Sequence, residues 1–303
     1  MKIIECVPNF SEGRDAAKMQ KIAMAFANRP GVKLLDYSGD YDHNRMVVTA
    51  AGEPQALRQA ALEAIGLAVE SIDLRRHQGE HPRIGACDVM PFIPLYGVTE
   101  AEAQALVRDL ADEAAARFDL PIFLYEHSAQ RPERQNLANI RQGGFEALGQ
   151  RIAGDPAWAP DFGPACIHPS AGATAMGVRA PLIAYNINLN SNDLALAKRI
   201  ASKVRARDGG LPYCKALGIE LAERGIVQVS MNMTDYRQTA LWQAYEAVEH
   251  EANAAGVEIL ESELIGLSPL EAIIDCARHY LRFTNIDLEK ILEMRIFQPE
   301  NKQ

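Results

Sequence analysis

Apolar residues mark out the elements of the first half of the chain by their spacing. A short apolar run over 3–7 is closed by the turn-rich PNFSEG. Met19, Ile22, Ala23 and Phe26 then recur at i, i+3, i+4 and i+7, which predicts a helix over 15–28 with Asp15 as its cap. VKLLDY and RMVVTAA read as strands separated by a polar loop over 38–44. Pro54 opens a long helix to about residue 74, with Leu57, Ala61, Ala64, Ile65 and Ala68 on one face. A strand over 89–95, a helix over 99–118 and the strand PIFLY complete this half.

The second half repeats the order. The strand PLIAYNINL precedes a helix over 193–207, strands near 214–221 and 227–233, a helix over 238–255, the strand VEILESEL and a last helix from Pro269. Each half thus reads β-α-β-β-α-β, the split arrangement of ferredoxin-like domains. The expected architecture is α/β (α+β): two such subdomains, 1–177 and 178–303, with facing sheets, helices outside and a cleft between them. The joining stretch AGDPAWAPDFGPACIHPSAGAT is too rich in Pro, Gly and Ala for a helix or central strand, and is either a linker or a binding loop.

Composition narrows the classes of function. A chain of 303 residues, 48% of them apolar, has enough material for two cores. The net charge of -9, with arginines scattered and not gathered into a basic stripe, argues against nucleic acid as a partner. Five cysteines, none in C-x-x-C, suit reduced thiols in the cytosol. Glu5 and Pro8 interrupt the apolar N-terminus and no run approaches the ~20 apolar residues of a membrane span, so a cytoplasmic protein with neither signal peptide nor membrane contact is expected.

His77, Glu80 and His81 fall in the spacing H-x-x-E-H, which is also that of an inverted zinc peptidase helix. Such a site needs both histidines on one face of a regular helix. Gly79 lies between them here, and Pro82 pushes His81 away from α geometry. No further ligand cluster is evident, so no metal is expected. The plainer alternative is a solvated turn after the long helix.

GEHPRIGACDVMPFIPL, the opening IIECVPNFSEGRD, DHNR at 42–45, WAPDFGP at 158–164, the stretch from GAT to NINL, and QVSMNMTD at 228–235 together resemble the formiminotransferase family over nearly the whole chain. The resemblance implies two α/β subdomains and a stand-alone transferase without the cyclodeaminase domain of bifunctional members. It implies transfer of a formimino group from N-formimino-L-glutamate to N5 of tetrahydrofolate as cosubstrate, a step of histidine breakdown, by a homodimer. Formyl transfer between 5-formyltetrahydrofolate and glutamate, a zinc hydrolase using His77 and His81, and a non-catalytic folate-binding protein are the alternatives.

By the same resemblance the catalytic histidine maps onto His81. Its task is to take a proton from the attacking amine and return one to the leaving glutamate nitrogen, which suits a group titrating near neutrality. Asn9, Asp36 and Asp42 are candidates to orient it, or else cap turns. Arg45, Arg83 and Arg179 are candidates for the substrate carboxylates, since guanidinium forks pair carboxylates bidentately. Folate binding falls on Gly163, Pro164, Ala165, Cys166, Ile167, His168, Pro169, Ser170, Ala171 and Gly172, with Ala171 standing where animal members carry an aromatic residue. Asn186 and Asn188 alternate along a strand, so both amides share a face and either hold substrate or pair at a sheet edge.

Overall fold

The computed structural model describes residues 2–41, 43–79 and 82–297. The chain divides into two compact units, Met1–Arg179 and Ala180–Gln303.

The first unit runs β1 (Ile3–Cys6), β2 (Asn9–Phe10), α1 (Ala16–Ala27), β3 (Val32–Asp40), β4 (Arg45–Gly52), α2 (Pro54–Ser71), β5 (Cys87–Tyr96), α3 (Glu100–Phe118), β6 (Ile122–Glu126), α4 (Leu137–Ile140), α5 (Gly144–Gly154) and β7 (Thr174–Val178). β1 and β2 form one broken line between β4 and β5, interrupted at Val7 and Pro8. Proline has no N–H for the ladder, yet its carbonyl still accepts from Val48 N at 3.0 Å. The first four strand positions therefore lie in the order β3, β4, β1/β2, β5, the ferredoxin-like arrangement. β7 pairs parallel to both β5 and β6, extending the sheet to seven strands.

Alternation along β4 explains the layering. Met46, Val48 and Ala50 are buried against the helices, while Arg45, Val47 and Thr49 are half-buried on the opposite face. The helix-side core gathers Phe10, Phe26, Leu57, Ile65, Met90 and Phe92. On the opposite face, toward β6 and β7, Ile140, Leu148 and Ile152 of α4 and α5 pack on Val89, Phe123, Tyr125 and Ala175.

The second unit runs β8 (Ile183–Leu189), α6 (Leu194–Val204), β9 (Cys214–Leu221), β10 (Ile226–Met233), α7 (Leu241–Ala254), β11 (Ile259–Ile265), α8 (Leu270–Leu281) and α9 (Leu292–Phe297). Its antiparallel sheet has the order β11-β8-β10-β9, the same fourth-first-third-second arrangement. Ile183, Tyr185, Ile187 and Leu189 point into its helix-side core.

Several boundaries differ from expectation. β3 runs on to Asp40, so the loop before β4 shrinks to 41–44. The stretch before residue 174 is no linker: it belongs to the first unit, and its end continues into β7, which the hydrophobic pattern did not reveal. α4 and α5 were likewise unanticipated.

Candidate active site

Four separate segments of the first unit converge at one end of its sheet. Ser11 N donates to Ala86 O at 2.9 Å and Ser11 Oγ to Gly85 O at 2.7 Å. Gly13 N donates to Asn44 Oδ1 at 2.9 Å, and Asn44 Nδ2 donates to Gln78 O at 3.0 Å. Asn44 thus ties the turn after β2 to the loop between α2 and β5. Its φ of 47° is a left-handed conformation that asparagine tolerates. The fourth segment, 168–173, is bonded along the same loop: Leu74 N donates to Ser170 O at 2.8 Å, Ala86 N to Ala171 O at 2.8 Å, and Ala173 N to Ile84 O at 2.9 Å.

Two glycines of the loop allow this closeness. A Cβ at Gly79 would lie 2.3 Å from His43 O, and one at Gly85 would lie 1.9 Å from Ala173 O. Any side chain there would force backbone apart.

Within the loop, His77 has both ring nitrogens engaged. Arg83 Nε donates to Nδ1 at 2.9 Å, so Nε2 must carry the proton, which it donates to Asn44 O at 2.8 Å. The ring is therefore neutral in this arrangement. Burial lowers its pKa, with Arg83 adding to that and the Asn44 hydrogen bond opposing it. Arg83 also donates to His77 O at 3.2 Å and, through both terminal nitrogens, to Glu146 at 3.2 and 2.8 Å. Nearby, buried Asp88 accepts from Ile84 N at 2.7 Å and is paired with Arg141. Arg45 sits close to that pair: burial lowers its pKa first, then Arg141, while Asp88 and Asp40 oppose.

A model described as the formiminotransferase domain, N-terminal subdomain, matches residues 3–179, and one described as the formiminotransferase domain matches 184–296. The chain belongs to the formiminotransferase family. It is 45% identical to a glutamate formimidoyltransferase of Streptococcus pyogenes serotype M1, over 96% of this chain and 98% of that protein. A glutamate formimidoyltransferase of Thermoplasma acidophilum is 43% identical over the full length of both chains. The formimidoyltransferase-cyclodeaminase of Rattus norvegicus is 40% identical over 92% of this chain, which spans 52% of that longer protein.

In this formiminotransferase His81 and Asp42 lie outside the described residues. The stems on either side of His81 are those just described, ending at Gly79 and resuming at Pro82. Asn9 lies mid-sheet between Val47 and Val89, its Nδ2 donating to Val7 O at 3.1 Å. Arg179 N donates to Phe92 O, and its guanidinium is near enough to the half-buried Glu5 to oppose the burial that raises the Glu5 pKa. Arg83, placed among the substrate carboxylate ligands by its position beside His81, has its fork occupied by Glu146 and His77.

The folate candidate segment 163–172 is a loop pinned to the His81 loop. His168 and Gly172 exchange backbone bonds at 3.0 Å, and His168 Nδ1 accepts from Ala171 N at 2.9 Å, closing a tight turn. Cys166 and Pro169 are exposed, whereas Ala171 is buried in the helix-side core. The Ala171 methyl packs inward. Asn186 and Asn188 do share the face of β8 opposite the helices, and Asn188 is saturated by Gln228, Glu261 and Glu263 at 2.8 to 3.2 Å.

Sequence reasoning passed over Asn44, Asp88, Arg141 and Glu146. Asn44 and Asp88 stand inside the quoted motifs DHNR and GACDV, and a polar residue flanking a buried strand was the available signal. Arg141 and Glu146 lie where no periodicity marks an element. Among the described residues no group of three metal-ligating side chains occurs, and no helix is long and apolar enough to cross a membrane.

Proposed function

We propose that this protein is a glutamate formimidoyltransferase, moving the formimino group of N-formimino-L-glutamate to N5 of tetrahydrofolate. The observation that carries the reading is identity of 45% and 43% to two proteins of that name over essentially their whole lengths. In this reading the folate amine attacks the formimino carbon, the bond to the glutamate nitrogen breaks, and His81 takes the amine's proton and delivers one to the departing nitrogen. Such positioned proton transfer contributes roughly 100- to 10,000-fold. The protonated formimino carbon is already electrophilic, so the step asks for no Lewis acid.

Arg45 and Arg179 serve the substrate carboxylates in this assignment, with Asn9 and Asp42 as orienting groups and Asn186 as a further amide. Segment 163–172 receives the folate, its exposed residues Gly163, Ala165, Cys166 and Pro169 supplying the surface. The reading includes a cytoplasmic homodimer.

The test is formimino transfer by wild type and His81→Ala, each with and without a chelator. Chelator-resistant transfer that disappears in the variant supports the reading. A folded wild type that binds folate and transfers nothing overturns it.

A further inference from the structure

We infer that His77 is a positioning residue whose neutral ring, by receiving Arg83, holds together the stems on either side of His81. The inference rests on the transferase reading for its kinetic arm only.

The clamp spans the loop from stem to stem. His77 precedes His81 by four positions and Arg83 follows it by two, and their side chains meet at 2.9 Å while Arg83 also reaches the His77 carbonyl at 3.2 Å. Both ends are then fastened outward. Nε2 of His77 holds the Asn44 carbonyl in the β3–β4 turn, and Arg83 grips Glu146 of α5 with a fork while its own carbonyl accepts from Phe145 N at 2.8 Å. Misplacing a catalytic group by about 1 Å is enough to cost about 100-fold in rate, so a clamp on the loop stems bears directly on turnover.

The clamp works in one protonation state. Only a neutral ring with its proton on Nε2 accepts from Arg83 and donates to Asn44 at once. Protonation puts a hydrogen on Nδ1, removes the acceptor and sets two cations against each other. The groups facing the ring are Arg83 on the same loop, Asn44 O on the β3–β4 turn, and Glu12 and Arg14 on the turn before α1, with Glu146 of α5 behind Arg83. Glu12 favours the cation but is engaged elsewhere, accepting from Arg14 N, Asp15 N and Lys18 Nζ.

Glutamine is the diagnostic replacement. Its amide offers an acceptor and a donor at about the separation of the two ring nitrogens and does not titrate near neutrality. His77→Ala should lower kcat by about 10- to 100-fold with KM within about threefold. His77→Gln should restore kcat to within about threefold of wild type. On the acid side, log kcat of wild type should approach a slope of two as both histidines protonate, and His77→Gln should keep a slope of one.

Hydrogen exchange of a peptide spanning 77–86 reads the clamp without turnover. After correction for intrinsic exchange, protection in wild type should fall at acid pH, His77→Gln should hold it, His77→Ala should lose it at neutral pH, and the surface change Glu146→Ala should keep most of it. Unchanged protection in His77→Ala overturns the inference, as does a loss confined to KM. A wild type without transferase activity refutes the functional reading while leaving the exchange arm to decide the clamp.

Discussion

Removing Asp88 should be among the most damaging single changes in the first unit. Its side chain is 3% exposed and that of its partner Arg141 is 14% exposed. Asp88→Ala would strip Ile84 N of its acceptor and leave the Arg141 guanidinium, whose Nε is already buried without a partner, uncompensated. Losing one member of a buried pair typically costs about 3–5 kcal/mol. Solvent reaching Arg141 argues for the lower end, while Arg45, left facing Arg141 with less negative charge nearby, argues for the upper. We take about 4 kcal/mol, which for a unit of this size corresponds to a fall in Tm of roughly 8–16 °C. The assay is thermal and urea unfolding of the full chain, alongside Asp88→Asn combined with Arg141→Met. The double variant removes both charges, fills the volume and keeps an acceptor for Ile84, so it should recover to within about 1 kcal/mol of wild type. If Asp88→Ala melted within about 3 °C of wild type, or the double variant were no better than the single one, the argument from an uncompensated buried charge would be refuted.

Arg45→Ala should weaken binding of the anionic substrate by about 10- to 100-fold, the loss of one charge-assisted contact, with kcat within about threefold; titration calorimetry and steady-state kinetics together check it. Gly85→Ala drives a Cβ to 1.9 Å from Ala173 O, backbone against backbone, and should cost more than about 4 kcal/mol or abolish soluble expression. Glu5→Gln should raise Tm at pH 7. Burial raises the Glu5 pKa above 4.5, so its penalty grows as pH rises through the folded value, and the gain from glutamine should shrink on acidification and vanish below about pH 4.5 in a melting series.

What was legible in the sequence followed from period. The alternation that put Asn186 and Asn188 on one face held, because β8 is buried on its helix side by Ile183, Tyr185, Ile187 and Leu189. The duplicated βαββαβ order was readable for the same reason. β7 was not, since Thr174–Val178 is buried at every position and so shows no alternation, and it follows a stretch whose prolines and glycines read as loop. α5 offers only Leu148 and Ile152 as fully buried anchors, too few to mark a face. Site chemistry was harder still. Arg83 stands beside His81 in sequence, but its partner Glu146 is 63 positions away, and no local pattern reports which anion a guanidinium has found. Ala171 fell on the folate candidate segment by position, yet the backbone turn at 168–172 directs its methyl into the core.

The pairing of Arg83 also shows which force holds the His81 loop. Glu146 is 64% exposed, so its ion pair with Arg83 is screened by water and contributes at most about 1 kcal/mol. The side of Arg83 turned toward His77 is different: it is half-buried, its acceptor is an uncharged ring, and the bond is made at Nε and again at the His77 carbonyl. Screening acts on the first contact and hardly on the second. The order of the loop should therefore tolerate high salt and yield to acid, because salt weakens the exposed carboxylate pair while only protonation removes the acceptor on His77.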